Sequence, residues 1–173
     1  GIYSTPGTAV KEAYDTSGIV TNDRGVTVWL KGNRVSRNQI MAIKEESVTE
    51  QKNSLAVCLD NILRHAGITR NTEYDLAQGK TATTILSENM TGVQVLDLSG
   101  CTLDAVLYYV NQDIPVLAIL EDGEAVLVTG FNEFNVVIME PATGKLYKKG
   151  MNDATAWFAE NGNHFITYMR TEN

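Results

Sequence analysis

The sequence predicts an α+β fold, with a helical half followed by a half built as an antiparallel β-sheet. Three observations carry that expectation. Leu55, Cys58, Leu59, Ile62, Leu63 and Ala66 recur at helical spacing. From Ile114 onward, short apolar or alternating stretches follow one another with turn residues between them. Little helical pattern separates those strands, so the alternation of a βαβ fold is missing. A chain of 173 residues is the length of one domain with room for a core.

Residues 1–47 are polar and β-flavoured, and they read as an N-terminal extension. Within them Gly18–Thr21 and Val26–Leu30 predict a hairpin around Asn22-Asp23-Arg24-Gly25, a good turn sequence. Residues 32–53 read as a connector with a short element near Asn38–Lys44. Residues 48–173 form the main unit, and the two parts are expected to pack as one. The clearest helix starts at Asn53 or Ser54, either of which can cap it, and ends at Gly67. Its apolar positions cover more than a narrow stripe, which predicts burial. Shorter helices are expected at Glu73–Gln78 and Thr83–Met90.

Val93–Leu98 alternates as a strand. Thr102 then caps a helix over Leu103–Val110, with Asp104 in the first turn where the helix dipole favours an acid. Ile114–Leu120 is continuously apolar, as a central strand would be. Ala125–Phe131 and Val136–Met139 are consecutive strands joined by Asn132-Glu133, and Lys145–Lys148 adds another. Asp153–Glu160 predicts a helix ended by Asn161-Gly162, and His164–Met169 alternates as a closing strand.

The net charge is −7, with Lys and Arg scattered, and Lys148-Lys149 is the one adjacent basic pair. An acidic chain without a basic stripe argues against nucleic-acid binding. No apolar run reaches the roughly 18 residues of a membrane span, so no insertion is expected within this chain. The opening Gly1-Ile2-Tyr3-Ser4-Thr5-Pro6-Gly7 reads as a cut inside a longer protein, which leaves targeting out of view. Two cysteines, Cys58 and Cys101, make neither a disulfide scaffold nor a zinc site. With only His65 and His164 besides, no metal and no cofactor are expected.

Several motifs in order carry a resemblance. A helix ends in Gly67, thirteen residues after Ser54. Gln112-Asp113-Ile114-Pro115-Val116 enters a strand. Gly123-Glu124 opens a strand that ends in Gly130-Phe131. Glu140-Pro141-Ala142-Thr143-Gly144 follows, and Asn161-Gly162-Asn163-His164-Phe165-Ile166 enters the last strand. Over residues 48–170 this pattern resembles the bacteriocin-processing cysteine peptidases. These papain-like domains stand at the N-terminus of peptide-exporting ABC transporters and cleave after double-glycine leaders. The resemblance implies a papain-like fold with a cleft between helices and sheet. It also implies a bacterial protein, extracellular or at the cell surface like the family's free-standing relatives.

By that resemblance the nucleophilic Cys, the His and the acid of the family fall on Ser54, Glu124 and Glu140. None of the three family residues is kept. The family's oxyanion Gln falls on Val48, with Gln51 nearby but out of register. A Ser hydroxyl needs a strong adjacent base, and a carboxylate is a poor one. Ser54, Glu124 and Glu140 are therefore expected to line a former active site that does no chemistry.

Three residues stand outside those positions as candidates for an active site of a different kind. Cys58 lies one helical turn past Ser54, among apolar neighbours, where the family often has a second, buried Cys. Cys101 precedes the helix start at Thr102, where the dipole lowers a thiol pKa. A Cys58–Cys101 disulfide is a further option in an oxidising compartment. His164 begins the last strand and could face the cleft.

The reading that follows is an inactive peptidase-like domain of a larger protein. Its cleft would take a peptide or a partner segment, and the negative charge of Glu124 and Glu140 favours a cationic or N-terminal-amine-bearing one. The alternatives are an active hydrolase built on Cys58, Cys101 or His164, and a structural surface module with an empty groove.

Overall fold

The computed structural model describes residue 3 and residues 5–16, 18–31, 39–40 and 52–171. Among these residues the chain forms six helices and two antiparallel sheets, so the α+β class stands. It opens with α1 (Pro6–Thr16), a helix where the sequence reads as polar and β-flavoured. Its buried positions are Gly7, Ala9, Val10 and Ala13. Small residues on the buried face leave little hydrophobic periodicity to read. The start signal is nevertheless present: Pro6 takes the first helical position, and Thr5 Oγ1 accepts the Thr8 N–H at 3.3 Å.

The strands β1 (Ile19–Thr21) and β2 (Thr27–Leu30) form the hairpin, paired antiparallel with Val20 opposite Trp29. Asn22 Oδ1 closes the turn by accepting the N–H groups of Arg24 and Val26 at 2.9 and 3.0 Å. Of the element expected near Asn38–Lys44, β3 (Gln39–Ile40) is a two-residue strand, and the remainder lies outside the described residues.

Helix α2 (Ser54–His65) is capped by Asn53, whose side chain accepts the N–H groups of Leu55 and Ala56. Ser54 is thus the first helical residue and not the cap. The helix ends as a Schellman motif. Ile68 N–H reaches Leu63 O at 2.8 Å, Gly67 N–H reaches Arg64 O at 2.9 Å, and Gly67 takes φ +87°. α3 (Glu73–Ala77) and α4 (Ala82–Asn89) pack on α2. Buried Thr72 ties the loop between α2 and α3 to α2, through its N–H to Asp60 Oδ1 at 2.8 Å and its hydroxyl to the same oxygen.

Next come β4 (Val93–Asp97), α5 (Leu103–Asn111), β5 (Val116–Ile119), β6 (Ala125–Phe131) and β7 (Asn135–Glu140). β8 (Lys145–Gly150), α6 (Met151–Glu160) and β9 (His164–Arg170) complete the chain. The large sheet runs β4-β9-β5-β6-β7-β8, with β3 paired to the far end of β6. α5 carries the chain from β4 past β9 to β5, and α6 returns it from β8 to β9. The helices form two packed groups, α2 with α3 and α4, and α5 with α1 and α6. Both α2 and α5 lie on β5 and β6, and every residue of β6 is buried. Cover on both faces explains why the central strands read as unbroken apolar runs.

The N-terminal helix and hairpin share this core. Trp29 Nε1 donates to Ala105 O at 2.9 Å, and Tyr109 Oη donates to Val28 O at 2.8 Å. Trp29 and Tyr109 are both buried, at 2% and 0% exposure, so these bonds lock β2 onto α5 in a dry contact.

Candidate functional site

Ser54 reaches the start of β6, next to Glu124, at one end of the sheet. The Ala125 N–H donates to Ser54 Oγ at 3.0 Å. This amide is open to Ser54 for a topological reason. The β6–β7 ladder starts only at Leu127 opposite Met139, which leaves the first turn of α2 to take up Ala125. Glu124 is the residue before Ala125, so the hydroxyl sits against the peptide group that joins them. The turn before it is held firmly: Leu120 N–H reaches Glu124 O at 2.7 Å and Glu124 N–H reaches Asp122 Oδ1 at 2.9 Å. Asn161 Oδ1 also accepts the Glu121 N–H at 3.1 Å, which ties that turn to the end of α6. Gly123, at φ +86°, supplies the left-handed step.

Glu140 ends β7. Counting one residue on from the Leu127–Met139 pair places it level with Val126, one strand across from Glu124 and two residues along, about 7–8 Å between backbones. Lys145 lies opposite Glu140 across the turn that Gly144 N–H closes onto Glu140 O at 2.8 Å. Glu124 and Glu140 are both exposed and Ser54 is half-buried. The three positions thus gather at the mouth between the start of β6 and the end of β7.

A fourth residue belongs here that the sequence reading missed. Tyr147 follows Lys145 by two positions on β8, so it shares a sheet face with Glu140. Burial, and then the Glu140 carboxylate, push its phenol pKa up. A signal was present: a four-residue turn after Glu140 fixes the register of β8 and with it the place of Tyr147.

The other candidates are buried or stand farther off. Both cysteines are buried free thiols, so the disulfide option is not realised. Cys58 has 0% exposure, and burial pushes its thiol pKa far up. Cys101 corrects an expectation. Its thiol is pushed up to about 11 rather than lowered, because burial outweighs the help of Lys11. It precedes the Thr102 cap, outside the helix proper, and its thiol donates to Gly7 O at 3.3 Å. His164 pairs with Ile119, which pairs with Ala125 on its other side. It therefore stands two strands from Ser54's partner, about 10 Å away. His65 ends α2, about 16 Å along the helix axis from Ser54, with Nε2 at 3.6 Å from Asp113 Oδ2.

The chain has two Cys and two His; Cys58 lies one helical turn below Ser54 but is fully buried, and Cys101, His65 and His164 stand farther off. Activation of a hydroxyl requires a base at about 2.6–3.2 Å, and neither imidazole is in that range of Ser54. What the mouth does present is a hydroxyl held by an amide, two exposed carboxylates and a phenol. Val48 and Gln51, the positions around the family's oxyanion donor, lie outside the described residues. Among the described residues no group of three Cys, His, Asp or Glu side chains could hold a metal ion. Nor is any described helix long and apolar enough to cross a membrane.

Comparison with known proteins gives a structural answer and no sequence one. No family model matches the chain, and no curated protein matches its sequence. Among solved structures, a crystal structure from Bacillus anthracis, described as that of a C39-like peptidase, superposes with a TM-score of 0.63 at 12% identity. The match covers 78% of this chain and 98% of the other. The chain is therefore similar in fold to a C39-like peptidase.

Proposed function

We propose that this chain is a peptidase-like domain without catalytic activity, whose former active-site mouth binds a peptide or a partner segment. The observation that carries the reading is the Ser54–Ala125 contact. It brings Ser54, which the resemblance assigns to the nucleophile, against the peptide group after Glu124, which it assigns to the His, while Cys58 and Cys101 are buried and neither His bonds to Ser54. Cysteine-peptidase chemistry needs a thiolate and an imidazole in contact. Here the paired positions hold a hydroxyl and a carboxylate.

Binding is what remains for such a mouth. Glu124, Glu140 and Asp122 are exposed acids, and they favour a cationic segment or a free N-terminal amine. A bacterial cell-surface or secreted setting goes with this reading, through the family's free-standing relatives.

Two measurements test it. Fluorogenic peptides, including ones with a double-glycine site, are incubated with the protein from pH 5 to 9, and no turnover above background is expected. Turnover that disappears in Ser54→Ala, Cys58→Ala or Cys101→Ala would sink the reading. Calorimetric titration with Lys- and Arg-rich peptides is expected to give binding that Glu124→Gln with Glu140→Gln weakens severalfold. Peptide binding indifferent to both substitutions would remove the mouth as the binding site.

A further inference from the structure

A groove of about 690 Å³ lies away from this mouth, between α1 and the hairpin. One face of α1 lines it, through Pro6, Ala9, Ala13 and Thr16. The opposite wall is the unbroken run of residues 18–23; among the described residues β2 adds Val28, and β4 closes one end with Gln94, which accepts from Asn22 Nδ2 at 3.2 Å. The groove therefore runs along the outer edge of β1. Its volume is in the range of about 300–1,000 Å³ that real ligand sites occupy.

The hairpin ladder leaves that edge ready for another strand. Lys31 N–H donates to Gly18 O, and Val20 faces Trp29 two residues on. These are the hydrogen-bonded positions of the ladder. Ile19, opposite Leu30, is then a non-hydrogen-bonded position, with its N–H and C=O directed away from β2. The floor is apolar and buried at Ala9, Ala13, Val20 and Val28, while Ile19 and Tyr3 at the rim are 56% and 40% exposed. Among the described residues, Glu12 and Asp23 are the charged members of the lining, and no Lys or Arg is one.

We infer that this groove docks an extended peptide segment of a partner that alternates basic and apolar residues, added to the outer edge of β1 as a third strand. Main-chain bonds at Ile19 supply the attachment, as in other strand additions to open sheet edges. The apolar floor takes every second side chain, and Glu12 and Asp23 select Lys or Arg at the rim.

The test uses two labelled hexapeptides, acetyl-Lys-Val-Lys-Ile-Lys-Val-amide and its counterpart with Glu in place of Lys. Amide NMR shifts and fluorescence anisotropy are read on the whole chain. The basic peptide is expected to bind at least about tenfold more tightly, with the largest shifts at residues 18–21. Glu12→Lys with Asp23→Lys, both exposed positions, is expected to reverse the preference. Ile19→Pro removes the outward N–H without touching the bonds between β1 and β2. It is expected to weaken binding about tenfold, with the melting temperature held.

Equal binding of both peptides would overturn the proposal, as would shifts confined to the Ser54 mouth. So would slow hydrogen exchange at Ile19 in the free monomer, since the edge would then be covered already. A dimer in sedimentation that protects the same amides would give the groove to a second copy, and would equally overturn it.

Discussion

At Ser54 one hydroxyl joins the first turn of a helix to the first residue of a strand. Ser54→Ala leaves the Ala125 amide without that partner in a half-buried place. A loss of about 1 kcal/mol is expected, or about 2–4 °C in melting temperature for a chain of this size. A thermal melt measures it, and an unchanged midpoint would show the bond to be replaceable by solvent. Cys101 offers a second residue-scale prediction. Its thiol pKa is raised to about 11 from an ordinary 9.0, because burial disfavours the thiolate. The unfolded chain therefore loses this proton at lower pH than the folded one. The stabilising contribution is full below about pH 9 and is lost as pH rises to about 11. Cys101→Ala is expected to flatten that part of the stability curve, measured as melting temperature from pH 8 to 11.

On the scale of elements, α2 depends on its two ends. Asn53 satisfies two amides at the start, and Asn53→Ala is expected to cost about 1 kcal/mol, read from denaturant midpoints. The loop after α2 is fixed by a two-point ion pair. Arg70 donates to Asp75 through Nε at 3.1 Å and Nη2 at 2.9 Å, and Asp75 is 2% exposed. Hydrogen bonding to Arg70 holds the Asp75 carboxyl below its ordinary 3.8. The pair therefore contributes stability above that value, and the contribution fades as pH falls through and below it. Arg70→Ala is expected to lower the melting temperature at pH 7 and to shrink the fall toward pH 3. Equal losses at both pH values would mean that packing rather than charge holds the loop. The edge strand β8 shows a different use of charge. Lys145, Lys148 and Lys149 line the open side of the sheet, where basic side chains discourage pairing with another chain.

Over the whole molecule, the N-terminal helix and hairpin are built into the core. Trp29 and Tyr109 each place a polar tip on the backbone of the other's element within a buried contact. Opening the hairpin alone would expose both rings and leave the Ala105 and Val28 carbonyls without these partners. A single cooperative transition is therefore expected. With Trp157→Phe, the remaining Trp29 reports on the N-terminal part. Its fluorescence melt should coincide with the loss of far-ultraviolet circular dichroism. An earlier fluorescence midpoint would show that the extension unfolds by itself.

The sequence by itself determined the elements whose period or turn chemistry is strong. Leu55–Ala66 gave its helix through 3.6-residue spacing, and the apolar runs of β5 and β6 gave central strands because both faces of the sheet are covered. The turn at Asn22–Gly25 was legible from side chains that bond their own backbone. α1 was not, because its buried face is made of small residues and carries little periodicity. The order of motifs also pointed to a fold similar to that of a C39-like peptidase, and the resemblance proposed Ser54, Glu124 and Glu140 as its site positions. Only the tertiary structure decided which of these meet. The late start of the β6–β7 ladder leaves the Ala125 amide for Ser54, and the register of β8 brings Tyr147 to Glu140. It also decided the fate of Cys101. A helix start argues for an activated thiol, but burial depends on what the rest of the chain lays over it, and here that is α1. Local spacing sets the period of an element, whereas desolvation and contact are set by residues remote in sequence.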